Sequence, residues 1–367
     1  MSVADPATTV IWLAFAIGLV FGAVASATRF CTMGAVADIA NLGDWGRMRM
    51  WLLAIALAIL GTAVLHETGR IDVDRSIYRG HNLTWLSHLA GGLCFGFGMV
   101  LASGCGARTL MRIGAGSIKA VVVFIVLALV ASMSMRGVFA VFRVEVLEPV
   151  ALHLPDGPGL PELVADLGLT PGPAPALCAA LLGGGLLAAV LLRRPRLAAA
   201  QILGGATVGA LVVAGWYVSG HLGHLAEDPE TLQEAYLATN SGRMESLTFV
   251  APQAYTLELL LLWSDRSRRV TFAIASALGV VCGSLAHALL SGSFRWEGFN
   301  DLEDTANHLV GAALMGFGGV VALGCTIGQG VSGVSTLAAG SFLSLFAIIA
   351  GARLALAYQY WRAAGSG

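Results

Sequence analysis

Ten runs of about 20 largely apolar residues, separated by short polar connections, leave this chain few places to fold other than a lipid bilayer. They cover roughly residues 8–27, 49–66, 83–104, 118–136, 175–192, 198–219, 247–263, 270–290, 305–324 and 341–361. Of the 367 residues 57% are hydrophobic and 12% charged. The charged share is about half that of an average soluble domain. That balance excludes a cytosolic globular enzyme, a disordered chain and a basic nucleic-acid binder. The first run lacks a preceding Lys/Arg cluster, so it reads as a retained span rather than a cleaved signal. The expected fold is an all-α integral membrane protein with about 9–10 transmembrane helices, partnered by the bilayer and not by nucleic acid.

Three stretches are too apolar for ordinary loops and too broken for spans: 28–41, 105–118 and 325–340. Each fits a short re-entrant or broken helix, which lipid tolerates only where protein buries it or a cavity wets it. An internal repeat links two of them. HLAGGLCFGFGMVLASGC at 88–105 and HLVGAALMGFGGVVALGC at 308–325 are identical at ten of eighteen positions, at an offset of 220. Chance does not supply that without gaps. The chain divides into a first transmembrane repeat (1–150), an outer linker (151–174) and a second repeat (175–367). With ten spans the two copies run in the same direction, which sets a pseudo-two-fold axis along the membrane normal. A re-entrant segment counted as a span would invert one copy.

Basic residues set orientation. With the N-terminus outside, the inner connections hold Arg29, Arg47, Arg49, Arg108, Arg112, Lys119, Arg193, Arg194, Arg196, Arg266, Arg268 and Arg269. Most acids fall outside, including Glu227, Asp228, Glu230 and Glu234. The expectation is N-out and C-out. The acidic segment 224–246 reads as an outer cap helix, and 137–174 as an outer linker with a short amphipathic start.

Six cysteines stand at 31, 94, 105, 178, 282 and 325, with neither a CxxC pair nor a Cys/His metal spacing. Cys105 and Cys325 occupy matching repeat positions, each after a glycine (Gly104, Gly324) at a helix break. Cys31 follows Arg29 in another broken segment. A neutral thiol donates to an anion without repelling it, and soft sulfur suits a sulfur-bearing substrate. Backbone N–H groups at helix N-termini add attraction without a full charge. Cys31, Cys105, Cys325, Arg29, Gly104 and Gly324 are therefore the candidate substrate-binding residues. Cys94, Cys178 and Cys282, unmatched and mid-span, read as packing residues. The GFG triplets at 96–98 and 316–318 read as close-packing glycines. His88 and His308 fall at outer helix ends and suit hydrogen bonding better than metal. Glu258 is placed to pair with Arg353, and Asp38 to pair locally.

The stretches RFCTMGAVADI (29–39), GFGMVLASGCGART (96–109) and GFGGVVALGCTIGQGVSG (316–333) resemble the YeeE/YedE family of sulfur-transport membrane proteins. The resemblance covers nearly the whole chain. It implies a helical bundle with short helices meeting at its middle, in a bacterial inner membrane. It implies uptake of thiosulfate or a similar small sulfur anion through a cysteine relay, with no catalysis and no cofactor. The relay positions it implies are Cys31, Cys105 and Cys325, and the partner a TusA-like cytoplasmic sulfur-carrier protein. One departure is visible: 246–254 (SLTFVAPQA) lacks the cysteine expected early in the second half. A membrane thiol enzyme, or a subunit docking a carrier protein through basic loops, are the alternative readings.

Overall fold

The computed structural model describes residues 5–80, 82–154, 157–166, 174–228 and 232–365. These form a helical bundle with two minor two-stranded ladders. The helices are α1 (Pro6–Thr28), α2 (Thr32–Leu42), α3 (Gly46–Glu67), α4 (Trp85–Leu101), α5 (Gly106–Gly114), α6 (Ile118–Arg136), α7 (Val138–Phe142) and α8 (Leu160–Asp166). They continue as α9 (Ala174–Ala179), α10 (Gly185–Leu192), α11 (Ala199–Tyr217), α12 (Ala251–Leu261), α13 (Phe272–Leu290), α14 (Leu302–Val321) and α15 (Ala339–Gly365). Apolar Leu, Ala and Val runs supply the helical interiors. Polar caps start them: Asp5 precedes Pro6, Ser117 caps α6, Thr271 caps α13 and Asp301 caps α14. Among the described residues eight helical segments are long and apolar enough to cross a membrane. The 20-residue α14 runs alongside them.

The expected span at 247–263 is not one. Residues 244–250 run buried and non-helical into the core, and α12 then covers only 11 residues. At 1.5 Å per residue that is about 16 Å, half a hydrocarbon core. Removing this one crossing reverses the direction of everything after it. A Cβ on Gly91 would meet the carbonyl of Gly318, and one on Gly98 the carbonyl of Gly311. Early α4 therefore faces late α14, so the two copies of the repeat run antiparallel rather than in the same direction. The axis relating them lies in the membrane plane.

The same crossing moves the ends and charges. At the upper face Arg136, ending α6, pairs with Glu258, which also pairs with Arg268; Asp5 lines the same cavity. At the lower face Lys119, starting α6, pairs with Asp304, and Arg362 of α15 pairs with Glu303. Asp5 and the end of α15 thus lie on opposite faces, not the same one. Arg266–Arg269 sit opposite Arg47, Arg49 and Arg193, and Arg353 plays no part in binding Glu258. Segment 224–246 forms no cap helix in its described residues. It pairs His224–Leu225 with Ala235–Tyr236 and then enters the core. Asp38 does pair locally, with Arg47.

Helices pack by exchange between the copies. The faces Gly18/Gly22 of α1 and Gly279/Gly283 of α13 lie against each other's backbone. Gly96 of α4 abuts Ile348 of α15, and Gly316 of α14 abuts Leu127 of α6. The GFG triplets are packing glycines. His88 bridges helices, its Nδ1 2.8 Å from Ser344 Oγ, while His308 lies near the other face against Asp304.

An upper-face knot holds the entrance together. Arg79, 8% exposed, pairs with Asp74 and Glu162 at 2.8 Å and donates to the Thr336 carbonyl. Asp74 is exposed and loses little when released. Glu162 and the carbonyl lose a buried donor. Arg79→Met is expected to cost about 2 kcal/mol, seen as a lower melting temperature in detergent.

Candidate functional site: three thiols on matching elbows

Three short helical segments begin at a cysteine. Cys31 is the N-cap of α2, and its Sγ accepts the Gly34 N–H at 3.4 Å. Cys105 is the N-cap of α5. Cys325 opens the turn that includes Gly328–Gly333, and its Sγ accepts the Gly328 N–H at 3.3 Å. All three are buried, at 5%, 3% and 0% exposure, and all are free thiols. The Cys105 thiol lies within electrostatic reach of both Cys31 and Cys325 and beside Thr326. The structure therefore brings together residues 220 positions apart. Cys94, Cys178 and Cys282 stay outside this cluster, and Cys282 is exposed on α13.

The elbows share a backbone device. Two residues before each cysteine stands a non-glycine residue with positive φ: Arg29 at 56°, Ser103 at 56° and Leu323 at 58°. Each ends the preceding helix in the left-handed region, and the next residue leads to the cysteine. A left-handed non-glycine residue costs about 1–2 kcal/mol. Such strain held three times at one place marks a functional constraint. Between elbow and thiol stand Phe30, Gly104 and Gly324. The two glycines leave room for neighbouring side chains. A Cβ on Gly104 would press the Arg108 stem at 3.0 Å, and one on Gly324 would meet Gln329 at 3.1 Å.

The short helices α2 and α5 aim their N-termini inward, where unpaired N–H groups carry partial positive charge. α12 takes the equivalent place in the other copy, and residues 246–254 lead into it without a cysteine. Polar groups missed by motif reading complete the site. Thr248 adjoins Cys325, and the buried Tyr78 hydroxyl reaches Thr248. Gln253 donates to the carbonyls of Gly106 (3.0 Å) and Phe249 (2.8 Å), tying α12 to α5. Thr32 Oγ1, Thr326 Oγ1, Gln253 Oε1 and Gln329 Oε1 are buried with no oxygen or nitrogen partner in the protein. These atoms give an otherwise apolar interior polar character near the thiols. Among the described residues no His, Cys, Asp and Glu group has a metal-holding arrangement.

Arg29 reaches the lower face. With Arg108, Arg112 and His287 it lines a cavity of about 230 Å³. Arg112 pairs there with Glu297 at 3.3 Å. Burial alone would raise the Glu297 carboxyl, but Arg112 with Ser117 and Lys119 holds it below the usual glutamate value.

The fold defines a polytopic helical membrane protein with three buried free cysteines and two oppositely directed copies of one motif. The chain belongs to the sulphur transport family, whose model matches residues 27–354. It is 27% identical to the thiosulfate transporter TsuA of Escherichia coli (strain K12), over 86% of this chain and 84% of that protein. It is 25% identical to the thiosulfate transporter TsuA of Spirochaeta thermophila, over 92% of this chain and 96% of that one.

Proposed function

We propose that this protein takes up thiosulfate, or a closely similar small sulfur anion, across a bacterial inner membrane. The observation that carries the reading is the similarity to two thiosulfate transporters at 25–27% identity over most of the chain, and it is supported by three buried cysteines of which Cys31 and Cys325 both act electrostatically on Cys105. The anion enters past Tyr78 and Thr248, passes from thiol to thiol and leaves by Arg29. Neutral S–H groups donate in turn, and the inward helix ends offset its charge. No donor carries a full positive charge at the constriction, so binding stays weak enough to release. The protein moves its substrate without changing it. Two transmembrane repeats, inverted rather than parallel, build the path.

The lower face is cytoplasmic in this reading, because Arg47, Arg49, Arg108, Arg112, Lys119 and Arg193 gather there. That places the N-terminal end outside and the C-terminal end inside. A TusA-like carrier protein, drawn to the basic Arg193–Arg196 loop, removes the sulfur that arrives.

The test is uptake of labelled thiosulfate into proteoliposomes holding only this protein. Saturable uptake, competed by thiosulfate and not by equal sulfate, supports the reading. Folded protein that moves neither anion sinks it. Uptake only after adding a carrier protein would favour a docking subunit instead.

A further inference from the structure

We propose that the lower face carries a second anion site, a cationic vestibule built by Arg29, Arg108 and Arg112 that receives an oxyanion below the thiols. The proposal rests on the transport reading for its place in the sequence of events, though the anion site itself does not.

The cavity holds three guanidinium groups within about 230 Å³. Only Arg112 has an acidic partner, Glu297. Arg29 and Arg108 form no ion pair among the described residues, and Arg108 Nε is buried with no hydrogen-bond acceptor. Like charges gathered without counter-ions repel one another, so an arrangement of this kind is stable only with an anion or water among them. The backbone is shaped to hold it. Arg29 stands in the left-handed region, and Gly104 leaves the space along which the Arg108 stem runs.

Ordinary membrane-anchoring arginines are the competing explanation, and the comparison between the two faces argues against it. At the 220 offset the second copy has Phe249, Gly328 and Ser332 where the first has Arg29, Arg108 and Arg112. The upper cavities set arginines beside acids. Arg79 pairs with Asp74 and Glu162, and Arg75 with Glu234. Arg243 donates to the Ser76 and Arg79 carbonyls. Cations without an acid partner occur on both faces, but the lower cavity sets its arginines in a lining with no carboxylate, whereas the upper cavities carry Asp74 and Glu234 or Asp5 and Glu258 in theirs. For an anion moving toward a negative interior, positive potential on the arrival side offsets the adverse field. Arg29 and Arg108 stand two and three residues from Cys31 and Cys105 in sequence, which places the vestibule next after the thiols on the proposed path.

Phenylglyoxal labelling of arginine tests this, with Arg29 and Arg108 followed by peptide mass spectrometry in phosphatidylcholine nanodiscs. Thiosulfate and sulfate should each slow labelling at both positions about fivefold or more, relative to equal ionic strength of chloride. The Cys105→Ala variant should keep that protection while losing uptake. In oriented proteoliposomes Arg29→Gln and Arg108→Gln should raise KM about tenfold for substrate offered at the lower face. KM from the upper face should hold. Absent protection, or equal KM changes from both faces, overturns the vestibule. An anionic headgroup presents the same oxyanion chemistry. Protection by phosphatidylglycerol nanodiscs alone, with none from thiosulfate, makes the site a lipid anchor and overturns it too. If wild type moves no thiosulfate, the transport reading falls while the labelling still decides the vestibule.

Discussion

Cys105→Ala and Cys325→Ala are each expected to lower saturable thiosulfate uptake by about 100-fold or more, while Cys282→Ala should leave it unchanged. The scale follows from desolvation. Inside the constriction an anion has lost its water, and each thiol is among the few donors replacing it. Deleting one donor aimed at a buried developing charge costs about 10²–10³ in rate in enzymes. An anion crossing a dry step meets the same arithmetic. Cys325 lies among Thr248, the backbone of Ile327 and Gly328, and Phe249, with no other acidic hydrogen on sulfur nearby except Cys105. Stability must be measured alongside. Losing one sulfur from a core costs about 1 kcal/mol, so both variants should melt within a few degrees of wild type. Cys105→Ser separates size from softness. It keeps a donor but loses the polarizable atom, and intermediate uptake is expected. Uptake equal in all three alanine variants would end the relay idea, whatever the transport result.

Much of this architecture was legible in advance because lipid makes hydropathy a strong signal. The segment predicted at 118–136 is α6 to the residue, and the three broken stretches became the short segments at the site. The error at 247–263 had a physical origin. A stretch of 17 mostly apolar residues looks the same whether it crosses lipid or fills a protein interior. Only the packing of Met244, Leu247, Phe249 and Val250, all fully buried, tells the two apart. Counting that segment as a span then misplaced Arg268, the direction of α14 and the exit of α15 together. The cysteines were legible through the repeat. Their elbows were not, because Arg29, Ser103 and Leu323 carry no compositional sign of left-handed backbone. Tyr78 and Thr248 were invisible for another reason. They come from connections whose path into the core no local pattern announces.

The same alanine, placed at two glycines, should move stability in opposite directions. A helix interior favours Ala over Gly by about 1 kcal/mol. At Gly185, in the helical region after residue 184, a Cβ meets nothing within 4 Å. Gly185→Ala should raise the melting temperature slightly. At Gly18 a Cβ would lie 2.0 Å from the Ser276 carbonyl oxygen, and at Gly283 one would lie 1.9 Å from that of Leu19. Those obstacles are backbone in the middle of α1 and α13, so no rotamer relieves them and the helices must part. Lipid gives little hydrophobic drive for helices to associate. Close backbone approach, with its dispersion contacts, is what holds them. Gly18→Ala should therefore cost about 3 kcal/mol net, and Gly18→Ala with Gly283→Ala should leave little folded protein. Melting curves in one detergent decide it, and a rise for both single variants would refute the packing argument. The consequence reaches function through α1. That helix ends at Thr28, and the next three residues are Arg29, Phe30 and Cys31. Pushing α1 away from α13 carries Cys31 away from Cys105. Thiosulfate flux through the Gly18→Ala protein that does fold should fall with the melting temperature, although no atom of the constriction has been changed.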